Sequence, residues 1–327
     1  MKTVAVLIFD GCMPSSVVGP ADLFNIANSL ARRVNPAQVD DLFDVRLLSV
    51  DDQPVHCKVG LTLTPTMTLS EIDTIDILLI GGYQYNDDAS LSEGLLTISH
   101  FNHTLQAIKR QGSTICAFCT GSFTLAQAGL LDHTQATVSW WLADRFSRDY
   151  PKIELVMDRL VVEADQVLTA GATTAYTSLC LSVIGKVTSH QLASQLSRVL
   201  LTDNNRLSQL PYMSVQRAMG HNDKAISDCQ YWLQQHLARS ISIKDMSEYC
   251  AMTERTFIRR FKAAVTMTPS SYLQRLRVDA AKQLLENTDL SLERIVNKVG
   301  YDDVSAFRRL FTKLTQLTPR AYRSSFA

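Results

Sequence analysis

The sequence predicts a chain of two domains, an N-terminal α/β domain on a parallel sheet and a C-terminal all-α domain of two helix-turn-helix units. Three observations carry that prediction. Short apolar, strand-like runs alternate with helical stretches up to about residue 170. From Asp223 to the end every stretch has helical period and none has strand character. Within that last segment, one block of residues recurs about fifty positions later.

The strand candidates are VAVLIF at 4–9, FDVRLLSV at 43–50, IDILLI at 75–80, STICAF at 113–118 and QVLTA at 166–170. Helical patterns lie between them at 17–33, 92–111, 121–129 and 140–149, with a longer one at 173–201. β-rich runs that are apolar on both faces and interleaved with helices indicate a mostly parallel sheet covered on both sides. Residues 203–222, with Asn204-Asn205, Pro211 and Gly220, have no sustained period and are read as an interdomain linker. That division gives domains at 1–202 and 223–327, consistent with 327 residues being too many for one ordinary core. Asp223 is a plausible N-cap for the first helix beyond the linker.

The repeat is specific. Phe257, Arg259, Phe261, Thr268, Pro269 and Tyr272 recur as Phe307, Arg309, Phe311, Thr318, Pro319 and Tyr322. Upstream the offset falls to 49: Ser242 matches Ser291, Ile243 matches Leu292, and Met246 matches Ile295. One extra residue in the second turn, GYDD against AMTE, accounts for the slip. Each copy reads as a short amphipathic helix, a tight turn and a second helix with a basic face, at about 243–264 and 292–314. In the first copy Phe257, Phe261 and Ala264 form an inward face, and Arg255, Arg259 and Lys262 stand opposite. In the second, Phe307, Leu310, Phe311 and Leu314 point inward, leaving Ser305, Arg308, Arg309 and Thr312 outward. Thr253 and either Asp302 or Asp303 suit the N-caps. A single basic helix is more often a solvated face; two copies at matched positions favour DNA contact. An Arg on a major-groove helix pairs with guanine O6 and N7, while other basic groups suit phosphates.

Charge follows the same division. Residues 1–221 carry 15 basic and 21 acidic side chains, and residues 222–327 carry 17 and 11, so a basic third follows an acidic body. The apolar run Val4–Phe9 is too short for a signal-peptide core, and no stretch approaches the roughly 18–20 residues needed to span a bilayer. Seven scattered cysteines make no disulfide framework, which leads us to expect a cytoplasmic protein without membrane partners. Cys116 and Cys119 form one CxxC with no second pair and no nearby His cluster, so neither a metal site nor a cofactor is expected.

The stretch from Ser242 through Arg323, above all VGYDDVSAFRRLFTKLTQLTPRAYR, resembles the AraC/XylS-type DNA-binding domain over nearly its full length. The resemblance implies seven helices, with two recognition helices joined by a long helix at about Ser270–Glu286. It implies base reading by Glu254, Arg255, Ile258 and Arg259 in the first, and by Val304, Ser305, Arg308 and Arg309 in the second. Ile258 and Val304 offer at most apolar contact, and Lys262 and Lys313 are assigned to the DNA-binding face with them.

In the first domain, STICAFCTGSFTLAQAGLL resembles the strand–elbow–helix of the PfpI-like, glutamine-amidotransferase-like superfamily, with Cys119 at the elbow. FDGCMPSSVVGPADLF at 9–24 and LLIGGY at 78–83 resemble the same family's first loop and Gly-Gly loop. The resemblance implies a flavodoxin-like sheet. Joined to the AraC-type module, such a domain resembles a GlxA-type regulator. The family's catalytic partners are missing here: Ser16 stands where its enzymes place a carboxylate, Thr120 follows the Cys, and Thr137-Val138-Ser139-Trp140 replaces a stretch that carries His. His133 falls in a loop.

Cys119 therefore has three readings: a packing residue, a ligand-pocket residue, which we favour, or a redox sensor bridging to Cys116. The expected ligand site comprises Ser16, Gly81, Gly82, Tyr83, Cys119, Thr120, Ser139 and Trp140. Backbone N–H groups at Cys119–Gly121 and Gly81–Gly82 would favour a carboxylate, and Trp140, Tyr83 or Trp141 a cationic amine. An amino acid or betaine-like effector fits both ends. The expectation is a homodimeric regulator of double-stranded promoter DNA, an activator that meets RNA polymerase, and not an enzyme. The alternatives are a PfpI-like cysteine hydrolase or deglycase with a DNA-binding tail, and a cysteine-based redox-sensing regulator.

Overall fold

The computed structural model of the chain describes residues 1–35, 37, 40–57, 59–202, 207–215, 221 and 223–327. The chain divides into two compact units, Met1–Gln209 and Leu210–Ala327. Of the expected linker, Asn204-Asn205 and Gly220 lie outside the described residues. Pro211 falls inside the second unit.

The first unit is built on β1 (Lys2–Ile8), β2 (Phe43–Ser49), β5 (Ile77–Ile80), β6 (Thr114–Phe118), β9 (Val161–Ala164) and β10 (Val167–Ala170). Short pairs β3 (Val55–His56) with β4 (Thr62–Leu63), and β7 (Gln135–Ala136) with β8 (Glu154–Leu155), lie outside that sheet. The main sheet runs β2-β1-β5-β6-β10-β9. All its pairings are parallel except β9 with β10, and Val4 sits between Val45 and Ile77. Residues 4–8 and 77–80 are buried, as strands covered on both faces must be. The covering helices are α1 (Ser15–Val34), α2 (Asp88–Ile98), α3 (Asn102–Arg110), α4 (Gly121–Gln127), α5 (Ala143–Asp149), α6 (Tyr176–Val187) and α7 (His190–Val199).

Two long helical expectations break in the structure. The 92–111 stretch becomes α2 and α3 around a 3-10 turn at Ser99–Phe101, which brings Ile98 and Phe101 inward three residues apart. The 173–201 stretch becomes α6 and α7, because Thr188 Oγ1 closes α6 on the Ile184 carbonyl and the Ser189 hydroxyl caps the Leu192 N–H. Strand β9 was not legible. It joins β10 through Asp165 and Gln166, both left-handed at φ +49° and +64°, a two-residue turn without the glycine that normally marks one.

The second unit holds α8 (Lys224–Gln235), α9 (Ile243–Tyr249), α10 (Glu254–Val265), α11 (Pro269–Asn287), α12 (Leu292–Lys298), α13 (Val304–Thr315) and α14 (Pro319–Phe326). It contains two apolar cores. Ile226, Leu233, Met246, Phe257, Phe261 and Tyr272 belong to one, and Ile295, Val296, Phe307, Phe311 and Tyr322 to the other. Helix α11 serves both: Tyr272, Leu273 and Leu276 enter the first core, and Val278, Ala281 and Leu285 the second. The rings repeat as well, Phe257–Phe261–Tyr272 in one core and Phe307–Phe311–Tyr322 in the other. The buried position that closes each inward face is Val265 or Thr315, while Ala264 and Leu314 are only partly covered.

Candidate nucleic-acid interface and effector site

The duplication extends to the backbone. Helices α10 and α13 end on left-handed residues at matched positions, Thr266 at φ +61° and Gln316 at φ +59°. Thr268 and Thr318 then cap α11 and α14 ahead of Pro269 and Pro319. The turns inside the units differ by the residue expected from the sequence. The first passes from left-handed Ala251 to the cap Thr253, and the second from left-handed Gly300 through Tyr301 and Asp302 to the cap Asp303. Asp303 accepts from the N–H groups of Ser305 and Ala306, which holds its carboxyl below the usual range. Only glycine fits at 300. A Cβ there would lie 2.4 Å from the Leu237 carbonyl oxygen, in a conformation L side chains already avoid.

The outward faces are open to solvent. Glu254, Arg255, Arg259 and Lys262 on α10, and Ser305, Arg308, Arg309 and Lys313 on α13, are all exposed. Among the described residues none of the four arginines forms an ion pair. Ile258 is 38% exposed and shares the α10 face. Val304 is partly buried, packed against the second core.

Several basic residues of this unit are structural, which neither charge counting nor helical period revealed. Arg260 makes a two-point bond to Asp223, joining α10 to the cap of α8 and holding the Asp223 carboxyl below its ordinary range. Arg277, nearly buried, donates to the carbonyls of Leu237 and Arg239 and lies over the Tyr301 ring at 5.2 Å. Arg323 donates to the carbonyls of Leu285 and Leu290. Lys282 donates to the Met213 carbonyl at 2.7 Å beside buried Asp279. The basic excess of the last third thus overstates the charge available to phosphates.

In the first unit, β6 is followed directly by Cys119, a left-handed residue at φ +57° that is 4% exposed. A non-glycine residue there is strained, and the surroundings hold it. The Cys119 N–H is shared between the carbonyls of Ala170 and Gly171, at 3.1 and 2.7 Å. This corrects one expectation, since the amide is engaged by the end of β10 and is not free for an anion. The thiol meets hydroxyls: Ser139 Oγ at 3.4 Å and Thr173 Oγ1 at 3.5 Å. Neither an imidazole nor a carboxylate is bonded to it among the described residues. His133 is exposed in the turn between α4 and β7, where its N–H bonds the Lys152 carbonyl.

Around the elbow the expected residues do assemble, in unequal roles. Ser16 is buried, with its hydroxyl on the Met13 carbonyl at 2.7 Å. A Cβ on Gly81 would lie 2.3 Å from that hydroxyl, so the first turn of α1 rests directly on the Gly-Gly loop. Gly82 lies against the Cys119 side chain. Thr120 Oγ1 accepts from the Tyr83 N–H at 2.7 Å and pins the loop to the elbow. The Tyr83 ring corrects a second expectation. It is 2% exposed, packed on Phe9, with its hydroxyl on Thr124 at 2.6 Å, so it is a core residue and offers no face to a ligand. Trp141 packs against the core, while Trp140 is half-buried and meets it edge to face. Cys116 is fully buried inside β6 and its thiol is pushed well up by burial, which removes the physical basis for a Cys116–Cys119 sensor.

Sequence reasoning missed Thr173, Gly171 and Gln209 at this end of the sheet. They come from later loops, and no motif marks them. Among the described residues no metal-holding cluster is found, and no helix is long and apolar enough to cross a membrane.

Comparison with known proteins gives two family matches, DJ-1/PfpI at residues 2–186 and a helix-turn-helix domain at residues 246–325. The chain is 23% identical over 323 residues to the HTH-type transcriptional regulator GbdR of Pseudomonas aeruginosa, covering 98% of this chain and 84% of that protein. It is 27% identical over 286 residues to the HTH-type transcriptional regulator CdhR of the same organism, covering 87% and 82%. A candidate transcriptional regulator protein from Vibrio parahaemolyticus shares the fold of 61% of this chain and 98% of its own, at TM-score 0.52 and 20% identity.

Proposed function

The chain belongs to the DJ-1/PfpI family, and from that premise we propose that this member is a sequence-specific DNA-binding transcription regulator controlled by a small metabolite. One observation carries the reading: two recognition helices on a repeated scaffold present exposed arginines, with Arg259 and Arg309 at matched positions. Arg255 and Arg259 on α10, and Arg308 and Arg309 on α13, read base edges, while Lys262 and Lys313 hold phosphates. GbdR and CdhR, matched over 84% and 82% of their lengths, are named HTH-type transcriptional regulators.

The effector occupies the end of the sheet beside Cys119, where open parallel sheets receive ligands. Ser139 and Thr173 supply hydroxyls, and Trp140 supplies a half-open aromatic face suited to a methylated or primary amine. An amino acid or betaine-like molecule meets both requirements. Binding shifts an equilibrium between states that engage DNA differently. As an activator the protein acts as a homodimer and engages RNA polymerase from a cytoplasmic promoter. Acyl transfer is disfavoured at this site, because the thiol faces two hydroxyls and no base is bonded to it among the described residues.

The test begins with selection of genomic fragments by the purified chain and footprinting of those retained. Arg259→Ala and Arg309→Ala are expected to weaken binding to a selected fragment much more than to random DNA. Wild-type affinity in both variants would defeat the reading. A thermal-shift panel of amino acids and methylated amines tests the effector site. Turnover of a dicarbonyl or peptide substrate that disappears in Cys119→Ser would instead establish the hydrolase.

A further inference from the structure

The segment that leaves the first unit places a side chain in the socket beside Cys119. Leu207 accepts from the Leu160 N–H at 2.7 Å. Two residues on, Gln209 is 2% exposed, and its carboxamide is fully engaged. Oε1 accepts from the Trp140 N–H at 3.2 Å, and Nε2 donates to Thr137 Oγ1 at 3.0 Å and to the Val138 carbonyl at 3.1 Å. The socket is shaped for it. A Cβ on Gly171 would lie 2.3 Å from Gln209 Cδ, so the amide fits because residue 171 has no side chain. The carbonyl of that same Gly171 accepts from the Cys119 N–H and from Ser139 Oγ. Elbow, serine and socket are therefore one hydrogen-bonded structure.

Gln209 is also the last residue of its unit. Tyr212, three positions on, stacks its ring edge on Phe326 at 5.1 Å. The Met213 carbonyl then receives Lys282, and the Val215 N–H donates to Asp279 at 2.5 Å. Lys282 and Asp279 both lie on α11, the helix shared by the two helix-turn-helix cores. Only Leu210 and Pro211 separate the plug in the first unit from the first anchor in the second.

We propose that the Gln209 carboxamide is a built-in occupant of the effector site, and that a small ligand bearing a carboxamide, or an amine and carboxylate that supply the same donor and acceptors, displaces it. Displacement releases 207–209 and so changes the tension on a segment anchored to α11. This inference rests on the reading of the Cys119 end of the sheet as the effector site. It adds what the ligand must compete with and how its arrival is reported. The internal amide has a high effective concentration, so free ligands bind the wild-type protein more weakly than the socket itself would allow.

The experiment uses the full chain, Gln209→Ala, and Gly171→Ala as a second variant that fills the socket while keeping the glutamine. The probe is propionamide, read by thermal shift and by anisotropy on a selected DNA fragment. Propionamide is expected to bind Gln209→Ala at least tenfold more tightly than wild type. Both variants are expected to change DNA affinity at least fivefold in the same direction, with propionamide restoring only Gln209→Ala. Unchanged DNA affinity in both variants overturns the proposal. So does altered affinity in Gln209→Ala that propionamide neither binds nor restores, which would mark a plain packing defect. A panel of amino acids and methylated amines separates the two readings. A panel ligand that binds wild type and Gln209→Ala equally leaves the effector reading standing and sinks displacement. Propionamide rescue with no panel ligand binding either protein does the reverse.

Discussion

Helices α10 and α13 occupy equivalent places in two copies of one scaffold, yet what holds them and what they offer are different. Phe257 and Phe261 meet Tyr272 in the first copy as Phe307 and Phe311 meet Tyr322 in the second, and both helices end on a left-handed residue before a Thr-Pro cap. Outside those positions the copies part. Arg260 ties α10 to Asp223, whereas the matched Leu310 only packs. The first turn is capped by an uncharged hydroxyl, the second by a carboxylate one residue further on. The first face carries Ile258 between Arg255 and Arg259, and the second carries Arg308 and Arg309 side by side. Duplication has kept the rings and end caps that place each helix and, of the reading positions, only Arg259 and Arg309.

If that division is right, the largest effects should be equal in the two copies. Phe261→Ala and Phe311→Ala each remove a fully buried ring and should each cost about 3–5 kcal/mol. Hydrogen exchange should show the loss confined to the core that holds the ring. Loss of protection spread over both would mean that α11 welds them into one. Reading should be unequal. Arg259→Ala and Arg309→Ala each remove about 1–3 kcal/mol of base discrimination, and Arg309→Ala the smaller part, because adjacent Arg308 remains. Footprints that fade equally at both half-sites would break that asymmetry.

Smaller effects sharpen it further. Lys262→Ala and Lys313→Ala should weaken specific and random DNA alike and flatten the dependence of log affinity on log salt by about one each. The caps should separate with pH. The Asp303 carboxyl is held low in the fold, so its contribution is present above its unfolded value of about 3.9 and is lost as pH falls through the folded value. Thr253 does not titrate. Protection of the Ser305 and Ala306 amides, taken relative to intrinsic exchange, should therefore fall on acidification well before that of Thr256.

Much of this was legible in the amino acids. The repeat, its one-residue slip and the inward phenylalanines are periodic, and periodicity survives in a linear string. The strands buried on both faces were equally plain. What escaped was what depends on a single hydroxyl or a distant carbonyl. Ser189 splits a long helix with one cap, and Asp165-Gln166 turns a hairpin without glycine. At the elbow, Ser16, Gly81, Gly82, Thr120 and Ser139 were recognisable because they sit in contiguous motifs. The burial of Tyr83 escaped because its neighbour in space, Thr124, lies some forty residues away on α4. Gln209 bonds residues about seventy positions away and carries no local mark.

Helix α11 is shared by both cores. It spans 19 residues, about 28 Å at the rise of an α-helix, and each of its halves is cemented into one reading unit. A rod of that length, fixed at both ends, is a ruler. If α10 and α13 both read DNA, it would set the phase of the operator as the arginines set its letters: two short boxes about one helical turn apart, on one side of the duplex. Five extra base pairs between them would carry the second box to the far side and silence it with every base contact still available.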